Sequence, residues 1–133
     1  MSEENVERIL RNIDAWNRCD RDAWLSDANP DWEFRTSGVF PGLKPVYRGQ
    51  AGAIELWEAM REPWNRFQVD VERVEALEED QVVCLVTFNV EGRDGLTTSR
   101  KWAYLMTFAG GVPIRTENFA EWTNALEAAG LSE

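Results

Sequence analysis

The chain has 133 residues, 44% hydrophobic and 29% charged, with a formal net charge of −10 and no histidine. That length fits one domain over residues 1–133, and the composition is that of a globular chain with a buried core rather than a disordered one. An acidic surface repels phosphate backbones, so nucleic acid is not an expected partner, and the missing histidine rules out Ser-His-Asp, Cys-His and HExxH chemistry.

Residues 1–5 open acidic and lead into an amphipathic segment rather than an apolar run, so no signal peptide is expected. Residues 3–18 read as a helix, with Val6, Ile9, Leu10, Ile13 and Trp16 at helical spacing. Residues 19–22 break the pattern, and Asp20 or Asp22 is placed to cap a short helix carrying Ala23, Trp24 and Leu25. Asn29-Pro30 ends it. Residues 31–36 form a first strand, in which Trp32 and Phe34 alternate with Glu33 and Arg35. Residues 37–45 hold two glycines and two prolines and read as a loop. Its apolar Val39, Phe40 and Leu43 suit a segment lying over a pocket or a neighbour. Val46-Tyr47-Arg48 is a short strand. Residues 50–62 form a helix with a predicted stripe of Ile54, Trp57 and Met60, stopped by Pro63.

Three long strand segments follow. Phe67, Val69 and Val71 share one phase, and the apolar set then shifts to Val74 and Ala76, which predicts a β-bulge and a curved sheet. Residues 81–90 are apolar on both faces, and Asp94-Gly95 marks the next hairpin turn. Residues 97–108 and 112–119 are the last strands, joined at Ala109-Gly110-Gly111, and residues 121–129 close the chain as a helix. Cys19 lies in a polar turn and Cys84 in an apolar strand. They make no disulfide framework and read as free thiols in a reducing compartment, so a cytoplasmic location is expected. No run approaches the ~20 apolar residues of a membrane span, so no membrane contact is expected. CxxC, P-loop and GxGxxG patterns are missing too, and the expectation is no metal and no cofactor.

Antiparallel strands with helices on one side give an α+β fold, and a curved sheet closed by helices encloses a cavity. Three segments carry a resemblance. Cys19 to Leu25 resembles a GD-x-(D/E)-x-(W/L) elbow, Tyr47 to Ile54 a Y-(R/x)-G-x-x-A-I helix start, and Ala125 to Leu131 an AL-x-AAGL ending. On these residues the chain resembles the nuclear transport factor 2-like superfamily over nearly its whole length, and most closely the SnoaL-like members. The resemblance implies a cone-shaped α+β barrel, in which a curved mixed or antiparallel sheet wraps around N-terminal helices. It also implies a cavity for a small apolar organic molecule. The superfamily includes isomerases, cyclases, epoxide hydrolases, dehydratases and non-catalytic binding modules, so fold alone does not fix the activity.

Members similar to ketosteroid isomerase use a carboxylate base, a tyrosine and a protonated carboxylic acid. Thr36, Asn12 and Tyr104 stand at those positions here, and none matches in type. Members similar to limonene epoxide hydrolase use an acid on the last strand and an Arg–Asp pair. Glu117 and Arg100 fall near two of these positions, but Lys101 and Trp102 follow Arg100 where the Asp is needed. SnoaL-like cyclases use a late-strand acid with a histidine nearby, which this chain lacks.

Strand parity groups Arg100, Trp102, Tyr104 and Met106, and separately Arg115, Glu117 and Phe119. The resemblance turns the first group and Glu117 toward the pocket. Glu117 is then the candidate catalytic acid, read against a structural ion pair with Arg100 or Arg115. Tyr104 and Arg100 are candidates to polarise or orient a substrate. Arg35 is a candidate binder of a carboxylate or enolate oxygen, read against a surface charge beside Glu33. Tyr47 is a candidate hydrogen-bond donor, read against a core filler. Trp16, Trp57, Trp102 and Phe119 complete the candidate ligand-binding set. The two apolar faces of residues 82–90 both need cover, which predicts a homodimer through the outer sheet face. Three functions stay open: a metal-free isomerase, cyclase or hydrolase using carboxylate acid/base chemistry, a non-catalytic small-molecule-binding module, or a dimerisation module with a filled core.

Overall fold

The computed structural model describes residues 2–26, 30–36, 42–77 and 80–130. The first helix, α1 (Ser2–Asn17), buries Ile9, Ala15 and Trp16 along one side. It ends where Cys19 takes the left-handed conformation, with φ of 58°. The short α2 (Arg21–Leu25) is capped by Asp20 rather than Asp22: the Ala23 backbone N–H donates to Asp20 Oδ1 at 3.1 Å. Strands β1 (Glu33–Arg35) and β2 (Val46–Arg48) follow, then α3 (Gly49–Arg61). The buried stripe of α3 is Gly52, Ala53, Leu56, Trp57 and Met60, wider than the predicted one, and Ile54 is only partly buried. Gly52 is needed for this approach, because a Cβ there would stand 3.0 Å from the Tyr47 carbonyl carbon.

The remaining elements are β3 (Trp64–Leu77), β4 (Gln81–Gly92), β5 (Thr97–Ala109), β6 (Val112–Phe119) and α4 (Trp122–Ala128). The six strands form one sheet in the order β2-β1-β6-β5-β4-β3. The β1–β6 pair is parallel and every other pair is antiparallel, so the sheet is mixed. β2 and β3 are its two ends, and the sheet curves without closing into a barrel. The register of β3 against β4 slips between Val71 and Arg73, at the predicted phase shift. Residues 37–41 of the loop expected over the pocket lie outside the described residues, while Leu43 packs against the core.

Two apolar layers hold the sheet. On the concave side, Phe67, Val69, Val86, Phe88 and Trp102 pack with Trp16 of α1 and Leu56 and Trp57 of α3. On the outer side, Trp122, Ala125 and Leu126 of α4 pack on Val83 and Ala103, with Leu77, Leu85 and Phe119 around them. Arg73 lays its guanidinium 4.1 Å from the Trp122 ring centroid on the same side. The second apolar face of β4, which argued for a homodimer, is thus covered by this chain's own last helix. The free edge of β3 is covered at Val69. Asn17, the last residue of α1, donates from Nδ2 to the Val69 carbonyl at 2.8 Å and accepts from the Val69 N–H on Oδ1 at 2.8 Å. Its side-chain amide takes the place of a neighbouring strand.

Candidate functional site

A cavity of about 110 Å³ opens between the concave face of the sheet and helices α1 to α3. Its walls follow from element periodicity. The inner face of α1 supplies Ile9, Ile13 and Trp16, α2 supplies Trp24, and α3 supplies Ala53, Leu56 and Met60. Trp32 and Phe34 come from β1 and the residue before it, two apart and so on one face. Cys84 and Phe88 of β4, Tyr104 and Met106 of β5, and Thr116 of β6 line the sheet side. The wall is braced from behind. Trp57 packs 4.8 Å from Trp16 and 5.2 Å from Trp24, measured between ring centroids. Arg61 stacks 4.6 Å from Trp16 and 4.7 Å from Trp57, and donates from Nη1 to the Trp16 carbonyl at 3.0 Å. These contacts leave the indoles little freedom to turn.

The polar groups in the wall are few and differ in availability. The Thr116 hydroxyl accepts a hydrogen bond from Trp32 Nε1 at 3.3 Å. Asn12 donates from Nδ2 to the Trp24 carbonyl at 3.2 Å. The Tyr104 hydroxyl has no hydrogen-bond partner among the described residues, while its ring lies 6.3 Å from Phe34 and 6.4 Å from Phe88. Burial, and then the neighbouring Cys84, push the Tyr104 pKa far above the ordinary phenol value. Tyr104 therefore stays protonated and acts as a hydrogen-bond donor. Burial also pushes the Cys84 thiol up to about 12, which keeps it a weak nucleophile. Among the described lining residues Arg8 is the one charged group, and none is a carboxylate. Among the described residues no cluster of His, Cys, Asp or Glu is arranged to hold a metal ion, and no helix is long and apolar enough to cross a membrane.

Of the nine candidate residues, Trp16 and Tyr104 line the cavity. Trp57 stands behind the wall. Trp102 is buried in the core cluster with Arg100 stacked 4.9 Å from its ring, and Arg100 itself is exposed. Tyr47 is buried, and its hydroxyl accepts from the Lys44 N–H at 3.0 Å. Three candidates lie on the opposite side of the sheet, contrary to the expectation that they face the pocket. Glu117 is on the outer face, with Oε1 3.3 Å from Arg115 Nε, and Phe119 belongs to the α4 cluster. Arg35 is exposed and pairs with Glu33. The reason is the register: Thr116 meets Phe34 and Met106 across the sheet and faces inward with them, so its neighbours Arg115 and Glu117 must face out. Asn118 shares the inward parity and is fully buried. In the orientation its surroundings dictate, its amide nitrogen donates to the Arg35 and Thr36 carbonyls at 3.0 and 3.1 Å, tying β6 to the end of β1. Sequence reasoning missed Phe34 and Trp32 as wall residues, although their alternation with the charged Glu33 and Arg35 carried that signal.

The model of the SnoaL-like domain matches residues 9–116. None of the curated proteins compared matches the chain. Among solved structures, TerC co-crystallised with polyporic acid superposes with a TM-score of 0.78 at 22% identity, covering 89% of this chain and 92% of that one. An NTF2-like protein of unknown function from Burkholderia pseudomallei K96243 superposes with a TM-score of 0.78 at 18% identity, covering 97% of each chain. A protein from Catenulispora acidiphila DSM 44928 with a ketosteroid isomerase-like fold, in complex with trimethylamine, has a TM-score of 0.74 at 12% identity, covering 94% of this chain and 93% of that one. With the open curved sheet and the helices in its concave side, the chain has a nuclear transport factor 2-like fold, and by the match over residues 9–116 it belongs to the SnoaL-like domain family.

Proposed function

We propose that this protein binds a small, apolar, oxygenated organic molecule in the cavity, with the aromatic wall supplying affinity and the Tyr104 hydroxyl supplying one hydrogen bond. The observation that carries this reading is Tyr104 itself, a protonated donor without a protein partner among the described residues, set in a mostly apolar, aromatic wall. Two structural neighbours were crystallised with small molecules, polyporic acid and trimethylamine, which supports binding as the use of such a cavity. Carboxylate acid/base chemistry at Glu117 forms no part of the proposal, because that residue faces outward. Any catalytic step would rest on Tyr104 polarising a ligand oxygen.

A thermal-shift screen of small ketones and phenols tests the proposal. A ligand present at about 100 times its Kd adds about 2.7 kcal/mol of stability. For a chain of this length that raises Tm by about 10 °C. No saturable rise with any such molecule would end the reading. A homodimer, if it uses the outer face, would meet the polar rows beside α4, where Thr87 donates to Glu72 and Asn89 to Asp70. Light scattering at micromolar concentration checks it, and a monomeric mass refutes it. We also infer a cytoplasmic location from the two free thiols, to be checked by cell fractionation.

A further inference from the structure

We infer that Arg61, which stands behind the cavity wall, is a positioning residue for the ligand: it fixes the Trp16 indole in the wall and so sets the affinity of the site. This rests on the binding reading above and adds to it the residue that keeps the site in shape before a molecule arrives.

Trp16 lacks the anchor that Trp32 has. Its Nε1 is buried and has no hydrogen-bond partner among the described residues, whereas Trp32 Nε1 donates to Thr116. The rings of Trp24, Trp57 and Phe67 surround it at 5.6, 4.8 and 5.2 Å between centroids, tilted or edge-on. Such contacts fill space, but they fix the direction of the indole by shape alone.

Arg61 adds the directional contacts. It is the last residue of α3, and its guanidinium lies 4.6 Å from the Trp16 ring centroid and 4.7 Å from that of Trp57. Nη1 donates to the Trp16 carbonyl at 3.0 Å, and Nη2 donates to Cys19 Sγ at 2.8 Å. One planar group thus holds the ring of Trp16, its backbone and the turn that follows. A guanidinium suits that geometry and the single ammonium of lysine does not. The place also favours the charge. Trp16 lies in the last turn of α1, which has no basic residue of its own, so Arg61 supplies from α3 the cation that a helix C-terminus favours. A wall already in place costs a ligand no ordering, whereas a Trp16 free to turn has to be immobilised each time a molecule binds. Ordering one large side chain corresponds to about a fivefold change in Kd.

Arg61→Met and Arg61→Lys in the full chain test this. Phenol and cyclohexanone are titrated by calorimetry well below Tm, and the Trp16 indole N–H is followed by nitrogen relaxation. Trp16→Phe identifies its signal among the seven tryptophans. Without ligand the unmodified chain should give an order parameter near the ~0.85 of rigid backbone, and Arg61→Met one below about 0.6 that phenol restores. Both probes should bind Arg61→Met about fivefold more weakly. Arg61→Lys keeps the charge at the helix end, so it should recover most of the lost Tm while the Trp16 signal stays loosened and affinity stays at least about threefold reduced. Either variant suffices for both measurements if the other does not fold. A merely structural role would lower Tm and leave Kd and the Trp16 signal as they were. An equally ordered Trp16, or an unchanged Kd, overturns the inference and leaves the binding reading standing. If neither probe binds the unmodified chain, the binding reading falls, and the ligand-free Trp16 order parameters still decide whether Arg61 holds the ring.

Discussion

Replacing Asn17 by alanine should destabilise the protein through the edge of the sheet rather than through its core. The Asn17 amide makes two 2.8 Å hydrogen bonds to the backbone of Val69, one in each direction, on the unpaired side of β3. A net hydrogen bond contributes about 0.5–1.5 kcal/mol, so losing two costs about 2 kcal/mol. Alanine is the better helix former by about 0.5 kcal/mol, and Asn17 ends α1, so the expected net loss is about 1.5 kcal/mol. At about 4 °C per kcal/mol for a chain of this size, Tm should fall by about 6 °C. Asn17→Asp should fall at least as far, because it exchanges the donor for an acceptor facing the Val69 carbonyl. The local readout is amide hydrogen exchange: the Val69 N–H should lose protection while the Val83 and Ala103 amides keep theirs. A Tm within about 2 °C of the unmodified chain, or a protection loss spread evenly over the sheet, would refute the assignment of Asn17 as edge cover.

The two thiols should separate cleanly. A thiol reagent at about pH 8 should modify Cys19 in the native protein and reach Cys84 only on unfolding, because Cys84 is buried and its pKa is raised to about 12; rapid native modification of both would contradict this. Glu33 accepts from Arg35 and Arg48, which lower its pKa from the ordinary 4.5. That contribution is present above pH 4.5 and is lost as pH falls through the lower folded value. Glu33→Gln should therefore lower stability near neutral pH and flatten the acid limb of the profile, and an unchanged acid limb would count against the linkage. Glu117→Gln should leave ligand affinity unaltered, since the residue pairs with Arg115 outside the cavity; a loss of more than about tenfold in affinity would put it back in the site.

The order of elements was legible in the sequence because each has its own period or punctuation. The β-bulge after Val71 was written as a change of apolar phase, and the closing helix as an apolar run ending at Gly130. What periodicity does not carry is which face of a strand turns inward. For β6 the alternation separates Thr116 and Asn118 from Arg115, Glu117 and Phe119 and is silent on the choice. The resemblance pulled Glu117 toward the pocket, whereas it and Arg115 pair on the outer face. The β1–β6 register decides the matter, and it joins residues too far apart in the chain for local pattern to report. The same blindness explains the cover on β4. Its outer apolar face and the apolar side of α4, with Trp122, Ala125 and Leu126, were both visible, but only tertiary packing brings them together. For Tyr104, parity grouped it with Trp102 and Met106 and the resemblance turned that group toward the pocket, where Tyr104 and Met106 line the cavity.

The parallel pairing of β1 with β6 also sets an order of assembly. The hydrogen bond from Trp32 to Thr116 spans 84 residues of chain, and closing a loop of that length costs about 4 kcal/mol of entropy before the contact returns anything. The hairpins β3–β4, β4–β5 and β5–β6 close over short turns and are expected to form first, with β1 docking onto β6 afterwards. Ligand should then slow unfolding and leave the folding rate unchanged, which stopped-flow refolding measures directly. Trp32, Phe34 and Thr116 stand on both sides of that final seam, so the binding space does not exist until the first and last strands have met. A molecule bound there would act as a latch on the closing step of folding, holding together the first and last strands, the pair costliest to keep in register.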